Sequence, residues 1–360
     1  MNAAAELAAR IVAAGGAIRF DEFMDLALYG DHGFYTSGVG RAGRRGDFIT
    51  SPEVGPLFGA VLARALDTWW EELGAPDDFH VYDVGAGPGT LARTVLAAAP
   101  RCLGGDPGRY VGVEISAAQR TMHPDGITSL PALPGGTLCG VVLANELLDN
   151  VPFRLLVNDG HWREAWVAVE GSSFTEVLVP IDVDLGTVML PAVHGARVPW
   201  QDRAVTWVED LRRRLDGRLV LIDYAVATTA ELANRPWREW LRTYAVHGRG
   251  AHYLRQVGEQ DITADVCLDQ LVARVGEPDA VRSQVQFLQR WGIEDLVAEG
   301  RRIWQEEASR PGLRAMTMRS RISEADALCD PQGLGGFTVV EYHGLGTRDR
   351  TGSSSSEGRP

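Results

Sequence analysis

The residues best suited to chemistry begin at the end of an apolar run from Phe79 to Val84. There the chain reads Asp83-Val84-Gly85-Ala86-Gly87-Pro88-Gly89-Thr90, a pattern of strand, tight turn and helix start. Glycine at 85 and 87 opens backbone conformations closed to other residues and lets a ligand lie against the main chain. Pro88 suits the first turn of a helix, where its missing N–H is not needed. A dinucleotide site would place its third glycine at position 90, in the order G-x-G-x-x-G. Here position 90 is threonine and the third glycine is Gly89. The resulting G-x-G-x-G is the usual spacing of an S-adenosylmethionine pocket, which holds no pyrophosphate. Gly85, Ala86, Gly87, Gly89 and Thr90 are therefore the expected cofactor contacts. Asp83 holds either the turn amides or the cofactor's ammonium. Glu114 ends the next strand, where a carboxylate can accept both ribose hydroxyls; the plainer alternative is a surface glutamate in a βα turn.

A second cluster follows the apolar run Gly140 to Ala144, which leads straight into Asn145-Glu146-Leu147-Leu148-Asp149-Asn150-Val151-Pro152. Ligands of open α/β sheets sit beyond the carboxyl ends of strands, so Asn145, Glu146 and Asp149 fall where a methyl acceptor would lie. Alternatively Asn145 caps a helix and the acids are first-turn residues favoured by its dipole. In Gly46-Asp47-Phe48-Ile49-Thr50-Ser51-Pro52-Glu53, local pattern makes Glu53 part of a capping box and Asp47 a turn residue. In Gly258-Glu259-Gln260-Asp261-Ile262-Thr263, Thr263 reads as the cap of a helix that follows. Arg41, Arg44 and Arg45 read as a solvated loop, and His247 and His252 have no catalytic spacing.

These residues need elements to position them. Residues 3–14 and 21–29 read as amphipathic helices, and Thr50 opens a long helix to about Leu73. Strands at Phe79–Val84, Tyr110–Glu114, Cys139–Ala144 and Arg218–Tyr224, with a helix over 88–99, give a βα rhythm. Their apolar character throughout argues a parallel sheet covered on both faces. Residues 152–181 alternate as an antiparallel insertion, 260–328 read as mostly helical, and Gly336–Tyr342 as a closing strand. The expected fold is α/β, a Rossmann-like core with an N-terminal helical segment and β-rich and α-rich insertions. Its divisions are 1–75, covering the cofactor site; 76–151, the first part of the core; and 152–200, the β-rich insertion. Then come 201–230, the core's continuation; 231–333, a mostly helical substrate-side region; 334–345, the closing strand; and 346–360, a serine- and glycine-rich disordered tail.

The chain has 360 residues, 45% of them hydrophobic, and a formal charge of −13. That charge argues against a binder of nucleic-acid phosphates and suits a cationic partner. Cys102, Cys139, Cys267 and Cys329 are scattered and lack metal-ligand spacing, so they read as reduced thiols of a cytoplasmic protein without a metal site. The alanine-rich start is interrupted by Glu6 and Arg10 and does not read as a signal peptide. No apolar stretch approaches the roughly 20 residues that span a bilayer.

The sequence resembles the MidA family of S-adenosylmethionine-dependent methyltransferases. The resemblance is carried by Leu28-Tyr29-Gly30-Asp31-His32-Gly33-Phe34-Tyr35, by Gly46 to Val54, by Leu57-Phe58-Gly59 and by the glycine turn. It continues in Ala144 to Asp149, Leu221-Ile222-Asp223-Tyr224 and Gly258 to Thr263, spanning roughly residues 18–345. It implies a class I methyltransferase fold, S-adenosylmethionine as donor and, in the best understood member, a protein arginine as acceptor. It also implies roles for Asp47 at the cofactor and for Glu53 and Asp261 at the substrate. The family's acidic motif usually has aromatic residues at Leu147 and Leu148, and Ala-Leu-Pro at Asn150-Val151-Pro152. A guanidinium is a poor nucleophile with a pKa above about 12. Carboxylates gripping one side of its fork localise the charge and leave the other nitrogen free. Glu146, helped by Asp149 or Glu53, is the expected grip, with Asn145 beside it. The alternatives are a small-molecule or natural-product peptide acceptor, or an assembly factor that keeps the pocket without catalysis. An oxidoreductase is disfavoured by the misplaced third glycine.

Overall fold

The computed structural model describes residues 2–37, 50–191, 193–245, 248–310 and 312–346. Asp47, the arginines at 41, 44 and 45, His247 and the expected disordered tail from 347 lie outside the described residues.

The apolar runs become a seven-stranded sheet of β1 (His80–Val84), β2 (Tyr110–Val113), β3 (Thr128–Leu130), β4 (Leu138–Asn145), β5 (Leu215–Asp223), β6 (Ala280–Ser283) and β7 (Thr338–His343). The order is β6-β7-β5-β4-β1-β2-β3. The five strands from β1 to β5 are parallel neighbours, while β7 runs antiparallel to both β5 and β6. The strand order reverses between β1 and β4. In open α/β sheets such a switch point is where ligands bind, beyond the strands' carboxyl ends.

Both faces are covered, as uniformly apolar strands require. The helices are α1 (Ala3–Ala13), α2 (Phe20–Tyr29), α3 (Pro56–Glu72), α4 (Thr90–Ala97), α5 (Asp202–Arg214), α6 (Ile293–Glu307) and α7 (Leu313–Leu328), with shorter ones between them. On α3, Leu57, Phe58, Val61, Leu62, Ala65, Leu66 and Trp69 recur at helical spacing and bury one stripe against β1, β4 and α4. Ala204, Val205, Val208 and Leu211 of α5 cover the opposite face. The segment 152–181 forms the antiparallel strands Arg154–Asn158, Trp162–Glu170 and Ser173–Pro180. Ala17–Arg19 adds a strand to that insertion, and the helices α1 and α2 share its apolar core.

Three expectations need correction. The helix expected from Thr50 to about Leu73 is broken: Ser51–Val54 is one turn, and α3 starts afresh at Pro56. The buried Glu324 carboxylate accepts the Leu57 N–H at 2.8 Å and fills the space beside Gly55, where a Cβ would lie 2.3 Å from it. Asp261–Ala264 and Val266–Cys267 are strands rather than helix, so Thr263 caps nothing; the next helix is Leu268–Val275. Asn145 ends β4 and caps no α-helix, because Leu148–Asn150 forms only a 3-10 turn.

Candidate active site

A cavity of about 550 Å³ opens beyond the carboxyl ends of β1, β2 and β4. Its first half is the glycine turn. Gly85, Gly87 and Gly89 have φ of +75°, +53° and +78°, which side chains disfavour. The Gly85 and Ala86 amides both donate to the Val113 carbonyl, at 2.9 and 3.1 Å, tying the turn to β2. A Cβ at Gly85 would lie 3.1 Å from Leu147, and one at Gly87 3.3 Å from Gln119, so little but backbone fits there. Gly89 sits off the cavity wall, against His123 and Pro124.

The Glu114 carboxylate is buried and pinned by two backbone amides, accepting from Gly87 at 3.0 Å and Ser116 at 2.8 Å. Each oxygen keeps a second lone pair for a ligand hydroxyl. Asp83 accepts the Tyr110 hydroxyl at 2.9 Å. Burial pushes its carboxyl up to about 7 despite that bond, with Glu114 adding to the rise. Thr90, Ile115, Pro131 and Leu133 complete this part of the wall.

The second half is acidic. Glu146 follows β4 with φ +53°, a left-handed conformation that costs a non-glycine residue roughly 1–2 kcal/mol. Its amide donates to the Ile222 carbonyl at 2.8 Å, fixing the bend against β5. Burial, together with Asp149 and Glu53, pushes its carboxyl up to about 8 against the Asn145 amide, 3.2 Å away, and the Ser51 backbone. Asp149 is held well above the carboxylate range by burial and by Asp223 and Asp261. Asp223 accepts the amides of Leu148 at 2.9 Å, Asp149 at 3.2 Å and Tyr224 at 2.9 Å, so this buried carboxylate shapes the acidic turn from β5. Burial and Glu146 bring it to about 7. Asp261 accepts Asn150 Nδ2 at 3.0 Å and the Ile262 amide at 2.9 Å, and burial takes it to about 6.

Of the residues singled out from sequence, Asn145, Glu146, Asp149, Glu53, Asp83, Gly85, Ala86, Gly87, Thr90, Glu114 and Asp261 line this one cavity. Glu53 makes its capping box, with its carboxylate 3.1 Å from the Thr50 amide, and faces the cavity as well. Tyr29, Tyr35, Asn150, Tyr224, Tyr244 and Thr263 also line it and were not foreseen as site residues. The signal for Tyr29, Tyr35 and Tyr224 lay inside the family-like stretches, but aromatic residues there read equally well as core. Asp25 adds a seventh lining carboxylate to Glu53, Asp83, Glu114, Glu146, Asp149 and Asp261. The cationic side chain among the described lining residues is Arg214, which donates to the Pro134 and Gly136 carbonyls. A concave wall so weighted concentrates positive ligands.

Residues 61–285 match the model of a family described as S-adenosyl-L-methionine-dependent methyltransferase. The mitochondrial protein arginine methyltransferase NDUFAF7 homolog of Drosophila melanogaster is 30% identical over 305 residues, covering 73% of this chain and 67% of the relative. This chain belongs to the MidA family of methyltransferases. Mitochondrial protein arginine methyltransferase NDUFAF7 of Rattus norvegicus is 23% identical over 371 residues, 89% of this chain and 79% of the relative. A Burkholderia thailandensis structure solved with S-adenosyl-homocysteine bound superposes with a TM-score of 0.78 at 28% identity, over 96% of this chain and 92% of that one. The fold is that of a class I methyltransferase, and the protein is an enzyme that uses S-adenosylmethionine. The cavity fits that cofactor. The positive φ of its glycine turn disfavours side chains there, the Glu114 carboxylate keeps free lone pairs, and the buried Asn145 Oδ1 has no hydrogen-bond partner. Among the described residues no helix is long and apolar enough to cross a membrane, and no cluster of His, Cys, Asp and Glu could hold a metal.

Proposed function

We propose that this MidA-family methyltransferase N-methylates the guanidinium of an arginine in a protein or peptide. The observation that carries the reading is the packing of Glu146, Asp149, Asp261 and Glu53 around one end of the cofactor cavity. The relatives named as protein arginine methyltransferases support the same acceptor.

When bound, S-adenosylmethionine supplies a methyl group on a positively charged sulfur. In our reading Gly85, Ala86, Gly87 and Thr90 form its backbone seat, Gly89, off the cavity wall, only shapes the turn behind them, Glu114 takes the ribose hydroxyls and Asn145 offers its free oxygen. Asp83 adds negative charge near the turn, and Asp47, outside the described residues, is assigned to the same task. Glu146 is the main grip on the acceptor. Its carboxylate binds one edge of the guanidinium, drawing charge toward that edge and leaving the opposite nitrogen to attack. Asp149 and Glu53 support the grip, and Asp261 belongs to acceptor binding. The leaving proton needs no strong base, because methylation precedes its departure. The enzyme's contribution is positioning and exclusion of water. A free pKa near 8 at Glu146 suits this task, since a cation arriving beside it favours the ionised form. The segment through residue 75 serves as a cover, bringing Tyr29, Tyr35 and Glu53 to the acceptor side. Scattered, unpaired cysteines support a reducing, cytoplasmic setting.

The test is mass spectrometry of arginine-bearing proteins and peptides incubated with the enzyme and isotopically labelled S-adenosylmethionine. Methylated arginine is the expected product. Label recovered on a small molecule or another side chain, or cofactor binding without any turnover, overturns the assignment.

A further inference from the structure

The acceptor end holds two buried polar atoms that the protein leaves without a hydrogen bond, Asp149 Oδ1 and Thr263 Oγ1. Both residues are 4% exposed, and both line the cavity. An unpaired buried polar group costs about 1–3 kcal/mol, so most such groups have partners. The frame around them is built. Asp261–Ala264 pairs antiparallel with Leu241–Ala245, with Tyr244 opposite Asp261 and Arg242 opposite Thr263. Alternation along the strands puts these four on one face, while Leu241, Ile262 and Ala264 of the other enter the apolar core with α2. Asp261 is already engaged by Asn150, whose amide also accepts the Tyr35 hydroxyl at 3.2 Å and donates to the Ile262 carbonyl at 3.1 Å. Arg242 does not line the cavity; it pairs with Asp265 at 2.7 Å and lies 4.7 Å from the centre of the Tyr224 ring.

We propose that Thr263 and Asp149 form a second acceptor-binding pair, which receives in-plane N–H groups that a planar guanidinium presents away from Glu146, leaves the attacking lone pair perpendicular to that plane exposed, and so selects arginine over lysine. The inference rests on the arginine reading above and names the residues that enforce it. A guanidinium carries five N–H donors in a rigid fork, enough for Glu146 on one edge and this pair on another. A lysine ammonium has three donors on one atom and cannot span both. Tyr224 and Tyr244 line the same end.

The probes are N-acetyl-arginine amide and N-acetyl-lysine amide, titrated calorimetrically into the full chain saturated with S-adenosyl-homocysteine. The wild type is expected to bind the arginine amide at least about tenfold more tightly than the lysine amide. In Thr263→Val the arginine affinity falls about tenfold, the size of one lost hydrogen bond to a charged group. Binding of the lysine amide and of S-adenosyl-homocysteine stays unchanged, and Thr263→Ser restores the wild-type preference. The KM for an arginine acceptor rises in Thr263→Val with little change in kcat. Equal binding of the two amides by the wild type, or an unaltered preference in Thr263→Val, overturns the proposal. If methylarginine forms while Thr263→Val behaves as wild type, only this inference fails. If neither amide binds and no arginine is methylated, the acceptor assignment falls with it.

Discussion

The two halves of the cavity are assembled in opposite ways. The cofactor half comes mainly from one stretch of chain, from β1 to the loop after β3, with Asn145 at the end of β4 as the described residue we add from elsewhere. The half we assign to the acceptor comes from five segments far apart along the chain, carrying Tyr29 and Tyr35, Glu53, the turn 145–152, Tyr224 and the paired strands with Tyr244, Asp261 and Thr263. The first half is mainly backbone with two buried, hydrogen-bonded acids, Glu114 and Asp83. The second is a cluster of buried acids whose carboxyls burial holds well above their ordinary values, with Arg242 acting on Asp149 from outside the cavity wall. A seat for an unvarying cofactor can be local and rigid, whereas selection of an acceptor draws on segments that can vary independently.

If the halves are separable, substitutions in one should leave the other intact. The largest effect is expected at Glu146. In Glu146→Gln, kcat falls by at least about 10²-fold, as for removal of one preorganised electrostatic partner at a reacting group. Affinity for S-adenosyl-homocysteine stays within a few-fold by calorimetry. Normal turnover would remove Glu146 from the grip, and lost cofactor binding would show that the two halves share it. Glu114→Ala should do the reverse. Losing hydrogen bonds to a buried charged group weakens S-adenosyl-homocysteine by about 1.5–3 kcal/mol, roughly 10- to 150-fold, while the arginine-amide preference persists.

The difference between the halves also decided what could be read from sequence. The glycine turn, Glu114 and the acid-bearing end of β4 were legible as parts of one cavity wall because each lies at or just beyond the carboxyl end of a strand that the local apolar pattern marks. Glu53 was harder, since its capping box satisfies the local pattern completely and nothing local says that the same carboxylate faces a cavity. Thr263 was misread as a helix cap, and only pairing with Leu241–Ala245, a long-range contact, turns it into a strand residue facing the acceptor end. Asp223 stood in a family-like stretch, but nothing there told of its role. It acts through the amides of Leu148 and Asp149, and sequence separation hides such a bond.

The charge stored in the acceptor half should show in stability. The folded Glu146 carboxyl titrates at about 8, against an ordinary value of 4.5. Between those values the native state holds a proton that the unfolded chain releases, so native stability falls as pH rises and levels off above about 8. Glu146→Gln removes this linkage. Its melting temperature should gain on the wild type progressively from about pH 5 to pH 8, with a constant gap beyond. A gap independent of pH would mean that Glu146 ionises normally in the free enzyme. The kcat/KM of the wild type should rise over the same range, as the grip becomes charged.

The smallest effect is expected at Asn150, where the family usually has alanine. Its amide accepts from Tyr35 and donates to Asp261 and Ile262, linking the acidic turn to the N-terminal segment and to the Asp261–Ala264 strand. Asn150→Ala leaves Tyr35 and Asp261 each short of one partner at a cost of about 1–3 kcal/mol, seen as a melting temperature lower by several degrees. Because Asp261 and Thr263 share a face, the KM for an arginine acceptor should rise a few-fold, with S-adenosyl-homocysteine affinity unchanged. An altered cofactor affinity instead would mean that the turn 145–152 couples the halves, and that a change made for the acceptor is felt at the glycine turn through Leu147, the side chain beside Gly85.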